Sequence, residues 1–308
     1  MPASKRVEVQ IEGRTLSLSN LAKVLYPKAG FTKGQVIDYY TRIAPVLLPH
    51  LRDRPLTLKR YPNGVEGGHF YEKQCPKHRP GWVRTETVPI RTDGKSIDFC
   101  VVDDLATLVW TSNLADLELH PSLARVADVS SPAILAFDLD PGPPATIVEC
   151  AQVAVRLREA FEHLGLESFP KTSGSKGMQV YVPLNVPTTY GVTKPFALAL
   201  AQLLERRHPE LVVSDMRKTL RTGKVLVDWS QNDEHKTTVS VYSLRARDRP
   251  TVSTPLGWDE VEDGLRTGDP DLLAFDSAQV LERVAERGDL FAPVATLQQE
   301  LPVTSSRP

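Results

Sequence analysis

The chain has 308 residues, of which 41% are hydrophobic and 24% charged, and its net charge is −1. A chain of this length can bury a large core in one or two domains. Its charge balance argues against indiscriminate binding of polyanions, because proteins that bind them in this way are usually strongly basic. It contains no apolar run of membrane-spanning length, and its start lacks the apolar segment of a signal peptide. We therefore expect a cytoplasmic protein with no membrane partner.

The three cysteines lie far apart and are odd in number, which predicts no disulfide framework. His69, Cys75 and His78 are close together in the sequence, but neither a Cys-x2-Cys pair nor a fourth ligand accompanies them. We therefore interpret them as ordinary surface residues and not as a zinc site.

Residues 1 to about 125 are predicted to form a first module, which ends before the polar loop 127–132. Several of its basic residues could line one groove while acidic residues cover the opposite side. These basic residues are Lys23, Lys28, Lys33, Lys59 and Arg60, and the basic cluster 217–224 further along the chain could line the same groove. Segregated charge of this kind would allow a nearly neutral chain to bind DNA.

The segment 133–137 is apolar and predicts a buried strand that continues through two acids and stops at Pro141-Gly142. Because side chains alternate along a strand, Asp138 and Asp140 should point to the same face. Two neighbouring carboxylates repel each other unless a cation lies between them, and oxygen ligands favour hard ions such as Mg²⁺ or Mn²⁺. The motif alone is also typical of a solvated turn, so it needs support from elsewhere in the chain.

A helix should follow this turn. Thr146 and Glu149 form the sequence pattern of a capping box, apolar residues recur after them at helical spacing, and Gly165 ends the pattern.

The next loop, residues 171–177, is rich in Gly and Ser and contains Lys176. Such a loop can offer backbone N–H groups, hydroxyls and an ammonium group to phosphate oxygens, although a flexible hairpin loop is the alternative. It is not a P-loop, because a strand from Met178 follows it and not a helix. On that strand Gln179 shares a face with Tyr181 and should point towards the phosphate of the loop.

Residues 217–224 contain four cations and lead into a short apolar strand that ends at Asp228. Asp228 can complete a three-carboxylate cluster with Asp138 and Asp140, and the cations can neutralise a triphosphate or a nucleic-acid backbone. Taken alone, the basic segment is also typical of a solvated surface loop.

Together these segments resemble the archaeo-eukaryotic primase superfamily, and more closely the polymerase domain of bacterial ligase D, the enzyme of non-homologous end joining. The resemblance is carried by the motifs Asp138–Gly142, Ser173–Gly177, Val227–Asn232 and Tyr242–Arg247, with further matches at 20–27, 32–33, 59–64 and 70–74. It implies one primase-polymerase catalytic domain of the α+β class, in which a palm like an RNA-recognition motif packs on an N-terminal α/β module. The implied modules are 1–125, 126–260 with the acids, and a helical tail, 261–308.

The resemblance also implies an activity: template-dependent addition of nucleotides, with ribonucleotides preferred, to a primer 3′ end at gaps or double-strand breaks. The chemistry would be two-metal nucleotidyl transfer with Mn²⁺ or Mg²⁺. The implied catalytic and metal-binding residues are Asp138, Asp140 and Asp228. The implied nucleotide-binding residues are Lys59, Phe70, Tyr71, His120, Ser173, Lys176, Gln179, Lys218, Arg221, Gln231 and Arg245. The implied pocket for the 5′-phosphate across a gap contains Asn20, Lys23 and Lys33, which a turn at Tyr26-Pro27 should bring together.

One position departs from the family pattern. The family has His where this chain has Gln179, and that His donates a hydrogen bond to the phosphates of the nucleotide. Gln keeps an N–H donor but cannot carry positive charge. We expect weaker nucleotide binding and not inactivation.

The implied partners are gapped or broken duplex DNA, nucleoside triphosphates and a Ku-type end-binding protein. The chain has no Lys-x-Asp-Gly motif of a DNA ligase, so we expect a stand-alone polymerase that acts with a separate ligase, associated with the nucleoid. The alternatives are a metal-dependent nuclease or phosphodiesterase that uses the same acids, and a non-catalytic module that binds DNA ends.

Overall fold

The structure is a computed structural model that describes residues 6–89 and 94–302. The first five residues, residues 90–93 and the polar end of the predicted tail, 303–308, lie outside these described ranges. The chain forms two compact units. The first comprises Met1–Ala127, Thr237–Thr254 and Phe275–Asp289, and the second comprises Asp128–Lys236, Pro255–Ala274 and Leu290–Pro308.

The unit boundary at residue 127 lies beside the predicted module boundary. The segment 237–254, predicted with the palm-like module, groups with the first unit, and the predicted tail is divided between the two units.

The strands are β1 (Arg6–Ile11), β2 (Arg14–Ser19), β3 (Val24–Tyr26), β4 (Phe31–Thr32), β5 (Pro55–Arg60), β6 (Phe70–Glu72), β7 (Thr85–Pro89), β8 (Ser96–Val101), β9 (Asp116–Pro121), β10 (Ala124–Arg125), β11 (Asp128–Pro132), β12 (Ile134–Pro141), β13 (Phe169–Thr172), β14 (Met178–Pro183), β15 (Val212–Val213) and β16 (Val225–Asp228). The α-helices are α1 (Lys33–Leu51), α2 (Leu105–Asn113), α3 (Ile147–His163), α4 (Tyr190–Arg207), α5 (Trp258–Thr267), α6 (Ser277–Arg287) and α7 (Ala292–Thr296). No helix among the described residues is long and apolar enough to cross a membrane.

The main sheet of the first unit is built around β5. This strand pairs antiparallel with β9 along one edge and with β6 and β8 along the other, and β7 pairs with β8. Helix α1 begins at a capping box between Thr32 and Gln35 and buries an apolar stripe that includes Val36, Tyr40 and Leu47. These pairings place the ends of β5 and β9 side by side.

The second unit contains a five-stranded sheet in the order β13-β14-β12-β16-β15, in which only the pair β15–β16 is parallel. Helix α3 packs on it through a buried face that includes Val153, Leu157 and Phe161. The helix begins at the predicted capping box of Thr146 and Glu149. Mainly antiparallel sheets with segregated helices make this an α+β fold, which confirms the predicted class.

The structure shows a disulfide that the prediction of no disulfide framework did not anticipate. Cys75 and Cys100 form a disulfide with a Cα–Cα distance of 5.0 Å, and both side chains are buried. The Cys75 N–H donates to the Asp98 carbonyl at 2.6 Å, which places the segment after β6 beside β8. This long-range pairing could not be read from cysteine spacing. Cys75 is therefore no ordinary surface residue, whereas His69 and His78 are exposed as expected.

Candidate active site

Three acids lie at the centre of the second unit's sheet. The register of β12 and β16 sets Asp138 directly opposite Asp228, and Asp140 follows Asp138 on the same face of β12. On its other edge β12 pairs with β14, where Gln179 is the register partner of Asp138. The alternation of side chains predicted this shared face, and the strand pairing adds Asp228 to it. We call Asp138, Asp140 and Asp228 the acidic cluster.

Each member of the acidic cluster accepts hydrogen bonds from nearby side chains. Gln179 Nε2 donates to Asp138 Oδ1 at 3.1 Å, and Arg221 Nη1 donates to Asp140 Oδ2 at 3.3 Å. Asp228 accepts from Ser230, whose N–H and hydroxyl lie 2.9 and 2.6 Å from its Oδ1, and from Gln231 Nε2 at 2.8 Å. Three predicted nucleotide-binding residues therefore contact the acids: Gln179, Arg221 and Gln231.

The surroundings of Asp138 disfavour the charged form of its side chain. Its burial and the nearby charges of Asp228 and Asp140 raise its pKa to about 6, although the hydrogen bond from Gln179 and the charge of Lys171 act in the opposite direction. Carboxylates that repel in this way are stabilised by a cation between them.

The donor set of the acidic cluster consists of oxygen alone, which fits Mg²⁺ or Mn²⁺. Within residues 6–89 and 94–302, however, no three His, Cys, Asp or Glu side chains converge as a ready metal-binding group. Asp140 and Asp228 are instead engaged by Arg221, Ser230 and Gln231.

Two glycines allow close backbone approaches beside the acids. A Cβ atom at Gly142 would lie 1.9 Å from the Arg221 carbonyl oxygen, and one at Gly177 would lie 2.0 Å from the Leu139 carbonyl oxygen. Both distances are impossible for a side chain, so glycine is required at each position. The absence of side chains lets the backbone at Arg221 and the loop 171–177, which we call the Gly/Ser loop, lie directly against the end of β12.

The Gly/Ser loop is closed by Ser173. Its hydroxyl oxygen accepts hydrogen bonds from the N–H groups of Ser175 and Gly177, each at 3.2 Å, and its own N–H donates to the Gly177 carbonyl at 2.8 Å. Lys176 and Lys218 are exposed side chains of the same unit. The predicted contacts of these groups with a triphosphate remain predictions.

Sequence reasoning missed two buried residues of this unit. Lys171 is fully buried on β13, where it is the register partner of Gln179 and its Nζ lies 5.3 Å from the Tyr181 ring centroid. The Asn232 side chain donates to the Ala136 carbonyl at 2.7 Å and accepts from the Ala136 N–H at 2.9 Å, as a neighbouring strand would. The place of Asn232 in the motif Val227–Asn232 is the sequence signal that could have identified it.

Three of the predicted nucleotide-binding residues of the first unit lie around one buried acid, Glu118. Lys59 Nζ lies 2.9 Å, His120 Nε2 3.1 Å and Arg245 Nε 3.4 Å from Glu118 Oε2. Burial raises the pKa of Glu118, but the hydrogen bond with His120 and the charges of Arg245 and Lys59 outweigh it and hold that pKa well below its usual range. Sequence analysis did not select Glu118.

Phe70 and Tyr71 on β6 lie beside these cations. They are 43% and 56% exposed, so neither ring belongs to the core. Arg60 lies over the Phe70 ring at 5.2 Å and Lys59 over the Tyr71 ring at 5.3 Å. Exposed aromatic faces of this kind can stack on a base.

The predicted 5′-phosphate pocket also belongs to the first unit. Strands β3 and β4 pair across the predicted turn, and the Lys33 N–H donates to the Lys23 carbonyl at 2.8 Å. Lys33 Nζ donates to the Ser19 carbonyl at 2.7 Å, and Lys23 Nζ to the Pro62 carbonyl at 2.6 Å. The Lys23 N–H donates to the Asn20 carbonyl at 2.9 Å, so all three predicted residues are neighbours.

Comparison with known proteins agrees with this architecture. The sequence matches the family described as the LigD primase-polymerase domain over residues 32–291. The fold matches the polymerase domain of Mycobacterium tuberculosis ligase D in complex with DNA, with a TM-score of 0.85 and 40% identity, over 92% of this chain and 99% of that one. The chain is thus a nucleotidyltransferase of the primase-polymerase class.

Within that class, the chain belongs to the LigD primase-polymerase domain family. It is 42% identical over 279 residues to the multifunctional non-homologous end joining protein LigD of Mycolicibacterium smegmatis, covering 90% of this chain and 36% of that protein. It is 31% identical over 291 residues to the bifunctional non-homologous end joining protein LigD of Bacillus subtilis, covering 94% of this chain and 46% of that protein. The chain therefore spans less than half the length of these relatives.

Proposed function

We propose that the chain is a template-dependent DNA/RNA primase-polymerase that adds nucleotides to a primer 3′ end at gaps or double-strand breaks, with ribonucleotides preferred. The observation that carries the proposal is the register that sets Asp138 opposite Asp228, with Asp140 on the same face of β12. Membership of the LigD primase-polymerase domain family supports it.

The acidic cluster would hold two divalent ions, Mn²⁺ or Mg²⁺, in a two-metal mechanism. Such ions, when bound, activate the attacking hydroxyl and neutralise charge on the transferred phosphoryl group. Asp140 would help to hold an ion, and Arg221, whose Nη1 lies 3.3 Å from Asp140 Oδ2, could donate to a phosphate beside it. Asp228 keeps its orientation through Ser230, which donates to it from both its N–H and its hydroxyl.

The remaining side chains bind and orient the nucleotide in this proposal. Ser173, Lys176 and Lys218 of the second unit are proposed to contact the triphosphate, with Gln179 and Gln231 close to the acids. Lys59, His120 and Arg245 of the first unit are proposed to contact the nucleotide, and the exposed rings of Phe70 and Tyr71 to stack on a base. Such stacking contributes about 1–3 kcal/mol per base.

The substrate we propose is gapped or broken duplex DNA of the nucleoid, with Asn20, Lys23 and Lys33 at the 5′-phosphate across the gap. The names of the relatives support a role in non-homologous end joining. A Ku-type end-binding protein and a separate DNA ligase are the partners that this role requires.

Extension of a labelled primer on gapped DNA with Mn²⁺, comparing ribo- and deoxynucleotides, tests the proposal. We expect template-directed addition that needs nucleotide, with ribonucleotides used more efficiently. Loss of label without added nucleotide would indicate a nuclease instead. Binding of DNA ends with no extension under any condition would indicate a non-catalytic end-binding module.

A further inference from the structure

Glu118 is an acid whose two oxygens are both occupied by other side chains and by backbone. Oε2 accepts from Lys59 Nζ at 2.9 Å and lies 3.1 Å from His120 Nε2. Oε1 accepts from the Tyr61 hydroxyl and from the Ala246 N–H, each at 3.1 Å. Glu118 as a whole is 2% exposed. A buried carboxylate with this many donors organises the groups around it.

The position of Glu118 is itself fixed by the sheet. Glu118 lies on β9, where it is the register partner of Lys59 on β5, so the two side chains share a face. The next residue of β9, Leu119, donates its N–H to the Ser243 hydroxyl at 2.9 Å, and the Ser240 N–H donates to its carbonyl at 2.9 Å. These bonds hold the segment that carries Arg245 beside β9. The group of side chains around Glu118 is therefore held by the pairing of β5 with β9 and by the hydrogen bonds of β9 with the segment 240–243.

The contact between Glu118 and His120 determines the tautomer of the imidazole. Burial lowers the pKa of His120, and the charges of Arg245 and Lys59 lower it further, against the opposing influence of Glu118. A neutral imidazole has one N–H, and a nitrogen that faces a carboxylate must carry it. His120 is therefore protonated on Nε2, and its Nδ1 is an acceptor. A hydroxyl group can donate a hydrogen bond to such an acceptor. A ribose carries a 2′-hydroxyl, and a deoxyribose lacks it.

We propose that Glu118 is the positioning residue for nucleotide selection: it fixes His120 as the Nε2–H tautomer and holds Lys59 and Arg245 side by side. The proposal rests on the proposed function, in which His120, Lys59 and Arg245 contact the nucleotide. Glu118 itself does not touch the substrate. Its negative charge offsets the positive charges of Lys59 and Arg245, which lie beside the neutral His120.

The test is Glu118→Gln, which keeps the size of the side chain and removes its charge. The amide can still accept from Tyr61 and Ala246, but its NH₂ group then faces the donors of Lys59, His120 and Arg245. We expect His120 to change to the Nδ1–H tautomer. The nucleotide KM should rise roughly tenfold, and the ratio of kcat/KM for ribo- over deoxynucleotides should fall roughly five- to tenfold, as for loss of one to two hydrogen bonds.

Asp116→Asn is the matched control. Asp116 is a buried acid two residues earlier on the same strand, and its Oδ1 accepts from the backbone N–H of Lys59 at 2.8 Å. Burial raises the pKa of Asp116 well above its usual range, and the amide oxygen of Asn can still accept from the Lys59 N–H. This variant should keep the tautomer of His120 and the ribose ratio. Glu118→Asp, which restores the charge on a shorter side chain, should recover part of both.

The tautomer is read from ¹⁵N NMR shifts of the imidazole, with His120 assigned by its absence in His120→Gln. The tautomer itself is measured on the wild-type protein and needs no nucleotide, and the His120→Gln variant serves only to assign the signal. An Nδ1–H tautomer in the wild-type protein would overturn the proposal, and so would an unchanged KM and ribose ratio in a folded Glu118→Gln protein. A wild-type protein that adds no nucleotide would count against the proposed function, while the NMR measurement would still decide whether Glu118 fixes His120.

Discussion

Lys33 offers a direct test of the proposed 5′-phosphate pocket, because its ammonium group is buried among other cations. Burial is the main cause that lowers its pKa from 10.5 to about 8, and the charges of Lys23 and Arg60 lower it further. The difference corresponds to about 3 kcal/mol against the charged form. A bound phosphate would remove most of this penalty, since it supplies the missing negative charge.

Binding of a 5′-phosphate should therefore depend on pH. Below about pH 7 Lys33 is already charged, and the affinity contributed by its charge should be constant. Above pH 8 the free protein has lost this proton and must take it up again on binding, so the affinity should fall up to about tenfold per pH unit. Fluorescence anisotropy on gapped DNA with and without the 5′-phosphate, from pH 6.5 to 9.5, measures this difference.

The variants sharpen the test. Lys33→Met should weaken binding of the phosphorylated gap at pH 7 by roughly 1–3 kcal/mol and remove the pH dependence. Lys28→Met is the matched control, since Lys28 is an exposed lysine of the same stretch that pairs with Asp248, and it should leave the dependence intact. Equal pH profiles for phosphorylated and unphosphorylated gaps, or a slope that persists in Lys33→Met, would refute the reasoning.

The lowered pKa of Lys33 also makes the free energy of unfolding depend on pH, and this quantity should rise with pH where phosphate affinity falls. Because the pKa of Lys33 is lower in the folded than in the unfolded chain, the unfolded chain binds more protons between about pH 8 and 10.5. The contribution of Lys33 to the free energy of unfolding should rise through this range and be lost again as the pH falls to 8.

Three further predictions concern the second unit. Asp228→Ala should abolish nucleotide addition in primer extension while anisotropy shows that DNA binding survives, because phosphate contacts elsewhere supply affinity; more than a few per cent of residual extension would remove Asp228 from the metal site. Gln179→His should lower the nucleotide KM several-fold, since a charge-assisted bond contributes about 1 kcal/mol more than a neutral one; a wild-type protein without activity that the variant restores would instead identify Gln179 as a degenerate position. Gly142→Ala should lower the free energy of unfolding in urea by about 1–3 kcal/mol and impair extension, because the new Cβ would overlap the Arg221 carbonyl. Gly68→Ala, where nothing lies within 4 Å, is its control, and equal effects of the two alanines would contradict the close-approach argument.

Local patterns predicted the parts of the fold that local chemistry determines. The capping box at Thr146 predicted the start of α3, and Gly165, with a φ of 72°, lies just beyond its end. Alternation along β12 placed Asp138 and Asp140 on one face. Each of these features depends on residues a few positions apart, so the sequence contains the whole signal.

Contacts between distant segments were not predictable in this way. Glu118 and Asn232 are polar residues that a single sequence does not distinguish from surface residues. Glu118 is important because it is buried opposite Lys59, and Asn232 is important because it is buried beside Ala136. The Cys75–Cys100 disulfide was missed for the same reason, since strand pairing and not cysteine spacing brings the two residues together. The family resemblance named the side chains that we propose to contact substrate, but it did not name the buried groups that hold them.

The charge arrangement explains how a nearly neutral chain can act on a polyanion. In the second unit Arg221 compensates Asp140, and in the first unit Glu118 compensates Lys59 and Arg245. Substrate binding would therefore exchange one set of ion pairs for another, because a phosphate replaces a carboxylate at a cation that is already held in place. The net affinity is then a difference between two sets of charge-assisted hydrogen bonds, which is smaller than either. Pairs that are preset in this way reduce the entropy lost on binding, and they favour an anion that fits the existing geometry over one that does not.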